Sequence, residues 1–292
     1  MGRHTRKTDP SVDAGNRLVA KTSSLKEQVM TTSIHPTAIV DGAAQLGEGV
    51  TIGAYSVVGP EVVIGDGVNI HNHVSLKGRT NIGEEVEVFS HASLGGPPQI
   101  LGYRDSAESR LEIGPRTIIR EFANLHTGSP EAGGLTNVGA DCMIMGYSHI
   151  AHVCIIGDKC VIANGTQFGG HVTVGEQVWM GGLVAIHQYC RIGKHAFLGG
   201  GSIVVAHVIP YGSVIGNKAR LAGLNIVGLK RRGFERQTIH DLRAAYRLLF
   251  AEEGTFSERL VDTEKTYAQC REVSEIVEFI KAAKSRAICM PG

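Results

Sequence analysis

The chain has 292 residues, 42% of them hydrophobic but only 5% aromatic, with 29 Lys and Arg against 28 Asp and Glu. That length holds one or two domains with ample core, and a formal net charge of +1 excludes a general nucleic-acid binder, which carries a basic excess. No apolar run reaches the roughly 18 residues of a membrane span, and residues 1 to 29 lack the apolar segment of a secretion signal. A soluble, cytosolic protein with no stable membrane insertion is therefore expected.

Residues 1–32 carry Arg3, Arg6, Lys7, Arg17, Lys21 and Lys26 without apolar periodicity, and read as a disordered N-terminal extension or an over-extended start before Met30. From Ile34 every sixth residue is aliphatic: Val40, Leu46, Ile52, Val58, Ile64, Ile70, Leu76, Ile82, Val88, Leu94. The register slips there, resumes at Ile113, Ile119 and Leu125, slips again across 128–137, and then holds from Val138 to Val204. A period of six is neither that of a strand nor that of a helix, so the repeat itself is the structural unit. Three hexads close a triangular coil, which predicts a hexapeptide parallel β-helix over 33–227, a column on the order of 40 Å at about 4.8 Å per layer. In-phase glycines such as Gly47, Gly65, Gly157 and Gly175 are expected at the corners, in conformations closed to other residues. Cys142, Cys154, Cys160 and Cys190 each lie four places after a ladder residue, so they read as small core residues in a reducing compartment.

After Val204 the pattern changes. Pro210 ends the ladder, Gly228 to Gly233 is a basic junction, and helices are expected from Glu235, with Leu242, Tyr246, Leu249 and Phe250 on one face. Thr255 with Glu258 matches a capping box, and further helices are expected over Leu260–Tyr267 and Val273–Ile280. A helical domain over 228–292 would cover the unpaired edges of the last coil.

The densest polar features are His149, His152, His171 and His187. The spacings of 19 residues from His152 to His171 and 16 from His171 to His187 are close to one coil, which predicts that they stack along one edge. Imidazole suits proton transfer near neutrality. Two site classes remain open on spacing alone: a general-base acyl-transfer site, or a histidine metal site between subunits, for which zinc needs three converging ligands.

The segments His149-Ile-Ala-His152, Gly169-Gly-His171, Ile186-His-Gln188, Gly216-Asn217 and Asn225-Ile-Val-Gly-Leu-Lys-Arg-Arg-Gly-Phe234, with the insertion Gly133-Gly-Leu-Thr136, resemble the UDP-N-acetylglucosamine acyltransferase family over roughly residues 33 to 285. The resemblance implies a homotrimer of left-handed β-helices with sites in the clefts between subunits and no metal or other cofactor. It implies transfer of a 3-hydroxyacyl chain from acyl carrier protein to the glucosamine 3-hydroxyl of UDP-N-acetylglucosamine, the first step of lipid A synthesis. By position, His152 matches the general base and Gly170 the oxyanion donor. Gln99, His149, His171, His187 and Gln188 match substrate-positioning residues. Asn225, Arg231 and Arg232 match the part that meets the nucleotide phosphates and the acidic carrier protein, and the run Lys230, Arg231, Arg232 is expected beside the histidine column. Gly200 matches the end of the acyl groove, which implies a chain near fourteen carbons.

The chain departs from the family where Gln99-Ile-Leu-Gly-Tyr103 stands for the usual Gln-Asp-Leu-Lys-Tyr, and where Val153 replaces the carboxylate after the catalytic histidine. The alternatives these departures raise are an acyltransferase preferring a 3-amino UDP-sugar and a non-catalytic trimeric paralogue. Acetyl-CoA-dependent enzymes share the hexads but would not account for the Leu-Lys-Arg-Arg-Gly-Phe junction.

Overall fold

A computed structural model describes residues 31–104, 107–284 and 286–292. The basic opening segment lies outside the described residues.

Three parallel sheets form the faces of a triangular column. The first has eleven strands, from Ser33–Ile34 to Arg220–Leu224; the second has nine, from Ile39–Val40 to Ile203–Val204; the third has eight, from Gln45–Leu46 to Arg191–Ile192. Each strand pairs with the one three strands later, as in Thr51 with Asn69, Val57 with Ser75 and Gln45 with Val63. Most strands are two residues long. Their second residue points inward, so Ile70, Val88, Ile119, Ile144, Ile162 and Leu198 are fully buried. Each such side chain contributes about 1.5–3 kcal/mol by leaving water. Cys154, Cys160 and Cys190, two places before a ladder residue, fill the same interior as buried free thiols, and burial pushes the Cys154 thiol up to about 12.

The corner glycines have a different cause from the one expected. Most of the left-handed positions, with φ near +60°, are taken by other residues at all three corners, such as His91 (66°), His171 (62°) and Gln177 (56°), and the in-phase glycines are not among them. Gly157 and Gly175 are instead required by the close approach of the next coil, where a Cβ would stand 2.7 Å from the Glu176 nitrogen and 2.6 Å from the Lys194 nitrogen. The left-handed conformation costs a non-glycine residue about 1–2 kcal/mol. Hydrogen bonds between coils offset it, among them Lys159 N–H to the Ala140 carbonyl at 2.8 Å and His171 N–H to the His152 carbonyl at 3.0 Å.

Both slips of the hexad register are excursions from one corner, that between the second and third sheets. Residues 97–109 leave after the strand Ser93–Gly96, and residues 127–134 leave one coil later, after Asn124–His126. The second is tied to the strand that follows the first, by Gly128 N–H to the Arg110 carbonyl (3.1 Å) and Arg110 N–H to the Gly134 carbonyl (2.8 Å).

The column ends in an antiparallel pair, Gly212–Ile215 with Arg220–Leu224. Four helices follow: α1 (Ile226–Arg231), α2 (Arg236–Leu249), α3 (Phe256–Thr266) and α4 (Arg271–Lys281). Asn225 caps α1 through Gly228 N–H at 3.1 Å, and the capping box at Thr255 and Glu258 is present. Helix α4 buries Val273, Ile276, Val277 and Ile280. Its Glu275 accepts from Lys194 at 2.8 Å and from the Tyr211 hydroxyl, which fastens the helices to the last coils. The chain then returns over the end of the column, where His207 bridges to Ile288 through its N–H to the Ala287 carbonyl at 2.8 Å and the Cys289 N–H to its own carbonyl at 2.7 Å.

Candidate active site

The corner between the second and third sheets carries the histidines. Successive coils do not place like on like, because spacings of 19 and 16 miss the 18-residue coil. His152 is level with Gly170 and Gln188, whereas His171 is level with Val153 and Tyr189. The result is an interlocked rather than a stacked arrangement. The His152 and His171 rings meet edge to face, 5.0 Å apart at 89°, while His171 stacks on Tyr189 at 4.5 Å.

Gly170 makes the interlocking possible. A Cβ on it would stand 2.5 Å from Cε1 and 2.6 Å from Nε2 of His152, so the imidazole lies against bare backbone. The Gly170 carbonyl accepts from Tyr189 N–H at 3.0 Å, whereas its own N–H makes no hydrogen bond among the described residues. The His152 ring therefore lies against a residue whose backbone N–H is uncommitted among the described residues.

Burial lowers the proton affinity of three of these imidazoles. Burial holds the proton affinity of His152 below the ordinary histidine value, and neighbouring His171 and His126 lower it further. His149 and His171 are lowered by the same desolvation. His152 Nδ1 is buried and makes no hydrogen bond. The next residue, Val153, sits in the left-handed region with φ 58°, held by its N–H donating to Thr136 Oγ1 at 2.9 Å. A β-branched residue there is a genuine outlier.

Two residues join this corner that the hexad pattern did not single out. His126 donates from Nδ1 to the Pro97 carbonyl at 2.7 Å, anchoring the first loop, and its ring meets His149 edge to face at 5.1 Å. It was hidden because it falls at the mouth of the second register slip. Arg286 comes from the far end of the chain, bonding Nη2 to His187 Nδ1 at 2.6 Å and Nε to the Gln188 carbonyl at 2.7 Å; no local pattern could reveal it. Gln99 and Ile100 lie exposed on the first loop, and Gly102 is left-handed at φ 74°, a conformation that disfavours the lysine usual there. Among the described residues no three His, Cys, Asp or Glu side chains converge as a metal site.

The basic junction is not beside this column within one chain. After Val204 the backbone completes the first sheet, the face opposite the histidine corner, and α1 packs there. Arg232 donates from Nη2 to the Gln177 carbonyl at 2.8 Å and Asn225 donates from Nδ2 to the His195 carbonyl at 2.9 Å. Arg231 is exposed and opens onto a cavity of about 670 Å³ whose apolar wall is Trp179, Phe197, Leu224 and Ile226. Gly200 lies at the corner between the first and second sheets, where a Cβ would meet Gly182 alone, its carbonyl oxygen at 3.3 Å and its nitrogen at 3.8 Å. One chain thus gathers Gln99, His149, His152, Gly170, His171, His187 and Gln188 on one edge, and Asn225, Arg231, Arg232 and Gly200 elsewhere.

The chain is similar to known proteins in both sequence and fold. A family model described as UDP-N-acetylglucosamine O-acyltransferase, domain 2, matches residues 207–289, and a bacterial transferase hexapeptide model matches residues 43–78 and 136–170. The chain is 42% identical over 260 residues to the acyl-(acyl-carrier-protein)–UDP-N-acetylglucosamine O-acyltransferase of Agrobacterium fabrum, covering 89% of this chain and 96% of that one. The Caulobacter vibrioides enzyme of the same name is 52% identical over 197 residues, 68% and 74% of the two chains. The solved UDP-N-acetylglucosamine acyltransferase of Francisella novicida superposes with a TM-score of 0.85 at 32% identity, over 88% of this chain and 94% of that one. The column has the left-handed β-helix fold of such structures, and the chain belongs to the family of acyl-(acyl-carrier-protein)–UDP-N-acetylglucosamine O-acyltransferases.

Proposed function

We propose that this protein transfers a 3-hydroxyacyl chain from acyl carrier protein to the 3-hydroxyl of UDP-N-acetylglucosamine, opening lipid A synthesis in the cytosol. The observation that carries the reading is the imidazole of His152 lying against Gly170, whose N–H is free. His152 Nε2 takes the proton of the sugar hydroxyl as its oxygen attacks the thioester carbonyl, a role worth typically about 10²–10⁴ in rate. The carbonyl oxygen gains the negative charge and turns to the Gly170 N–H, a contribution of about 10²–10³. The tetrahedral intermediate then collapses: the C–O bond stays, the C–S bond breaks, and the imidazolium returns its proton to the leaving thiolate. Its lowered proton affinity leaves the imidazole free to accept at neutral pH.

The phosphate-binding side of the reaction falls to Asn225, Arg231 and Arg232, which lie on the opposite face of the same column. A second copy must bring that face to the histidine corner, so the working unit is a homotrimer with shared clefts. Arg231 is the cation free to meet phosphate, because Arg232 is partly committed to the Gln177 carbonyl. Gly200 leaves space for a chain near fourteen carbons, each buried methylene contributing about 0.8 kcal/mol.

The test is an assay of the purified protein with UDP-N-acetylglucosamine, its 3-amino analogue and a panel of acyl carrier protein thioesters, alongside light scattering. Turnover with 3-hydroxyacyl thioesters by a trimer is expected. No turnover with any pair, or a monomer at micromolar concentration, overturns the reading.

A further inference from the structure

We infer that Arg286 is a positioning residue of this site, fixing His187 in the tautomer that presents its Nε2–H to a substrate oxygen. The inference rests on the reading of His187 as part of the substrate-binding edge.

A guanidinium donates only and keeps its charge throughout the working pH range. Arg286 Nη2 stands 2.6 Å from His187 Nδ1, so that nitrogen must be the acceptor and the ring proton must sit on Nε2. The other two guanidinium nitrogens are also used. Nε donates to the Gln188 carbonyl at 2.7 Å and Nη1 to the Val205 carbonyl at 3.2 Å. The one side chain therefore clamps the imidazole, its own corner and the corner of the next coil. No carboxylate among the described residues pairs with Arg286, so the whole fork is given to this edge.

Without that donor the other tautomer has a partner waiting. The Gln188 carbonyl lies 3.3 Å from His187 Nδ1 and could accept a proton carried there, which would turn Nε2 into a bare lone pair facing the substrate. A donor and an acceptor at that point differ by the sign of the contact with a sugar hydroxyl or phosphate oxygen. Arg286 is itself held by the returning tail: His207 N–H donates to the Ala287 carbonyl at 2.8 Å, Cys289 N–H to the His207 carbonyl at 2.7 Å and Leu221 N–H to the Met290 carbonyl at 2.9 Å. The C-terminal tail is thus part of the site as well as a cover for the column.

The experiment compares the full-length protein with Arg286→Met, Arg286→Lys and His187→Gln. Solid-state nitrogen spectra of histidine-labelled protein, with His187 assigned by its absence in His187→Gln, read the tautomer directly. The parent is expected to show His187 with an unprotonated Nδ1, and Arg286→Met a mixture. The KM for UDP-N-acetylglucosamine should rise about tenfold or more in Arg286→Met, recover partly with added methylguanidinium, and be intermediate in Arg286→Lys, which keeps a donor but not the fork. An unchanged spectrum in Arg286→Met, or an unchanged KM, overturns the proposal. If His187→Gln itself keeps the parent KM, the placing of His187 in the substrate site fails instead, while the tautomer assignment still stands or falls on the spectra.

Discussion

Two corners of the same column carry rings on the same backbone, and they arrange them differently. Between the first and second sheets, Tyr55, His73, His91, Phe122 and Tyr147 lie one per coil, with ring centroids 4.9–5.1 Å apart and planes within 17°. They face water; Tyr55 is 61% and Tyr147 63% exposed. Between the second and third sheets, His171 has the same left-handed conformation as His91, yet meets His152 at 89° over a glycine, with Nδ1 of His152 buried. The difference lies in periodicity. A ladder that repeats every coil stacks each ring on the last and leaves no space. A ladder offset by one residue, with Gly170 in the gap and two loops beside it, leaves an imidazole against a free N–H.

The largest expected effect separates the two corners directly. His152→Ala should lower kcat by at least about 10²-fold, whereas His91→Ala, on a water-facing stack, should stay within about twofold, both read by steady-state kinetics beside thermal melting. Comparable losses at both would mean that the histidines matter for packing rather than proton transfer.

Gly170→Ala comes next. Its methyl group would enter the His152 ring at 2.5 Å, so the imidazole must swing away from Gly170. A loss of about 10–10²-fold in kcat with an intact fold is expected, in line with the worth of a displaced oxyanion donor. A parent-like rate would show that the acceptor and the donor do not work as a pair.

Much of this architecture was legible because hexads are a one-dimensional code. Ile52, Ile70 and Val88 are buried for the reason their spacing gave, and Cys154 and Cys160 for the same reason. The glycines were read correctly as architectural but for the wrong cause, since close approach between coils leaves no trace that differs from a left-handed turn. The near-coil spacing of the histidines placed them on one edge but could not tell stacking from interlocking, which depends on a single residue of offset. The position of Arg231 and Arg232 was misjudged because chain proximity after Val204 says nothing about which face of a triangle the next strand joins. His126 and Arg286 were missed because both act across breaks in the repeat.

A smaller effect concerns pH. Since burial holds His152 below the usual histidine value, its base form persists as pH falls through about 6.5, and the acidic limb of kcat/KM should lie below that value. A limb above it would contradict a desolvated base. The limb must be read against stability. His195, buried against Tyr211 and Phe234, is held down to about 4. Between about 6.5 and about 4 the unfolded chain takes up a proton there that the folded chain refuses, so stability falls as pH is lowered through that window. Melting followed by circular dichroism over the same range separates the two, and His195→Gln should flatten the stability profile while leaving the kinetic limb in place.

The smallest effect bears on what the catalytic corner lacks. Val153 occupies a left-handed position at some cost, which Asp or Asn tolerates far better, so Val153→Asp and Val153→Asn should each raise stability by up to about 1 kcal/mol. Both could offer an oxygen to the buried Nδ1 of His152, but only the aspartate adds a negative charge that stabilises the imidazolium formed when the hydroxyl proton arrives. A several-fold rise in turnover is therefore expected for Val153→Asp with the 3-hydroxyl sugar and a smaller one with the 3-amino sugar, whose nitrogen is the better nucleophile and needs less help from the base. Val153→Asn should share the gain in melting temperature without the gain in rate. Equal rate changes in the two variants, or for the two acceptors, would show that relief of backbone strain, and not support of His152, is what this position withholds.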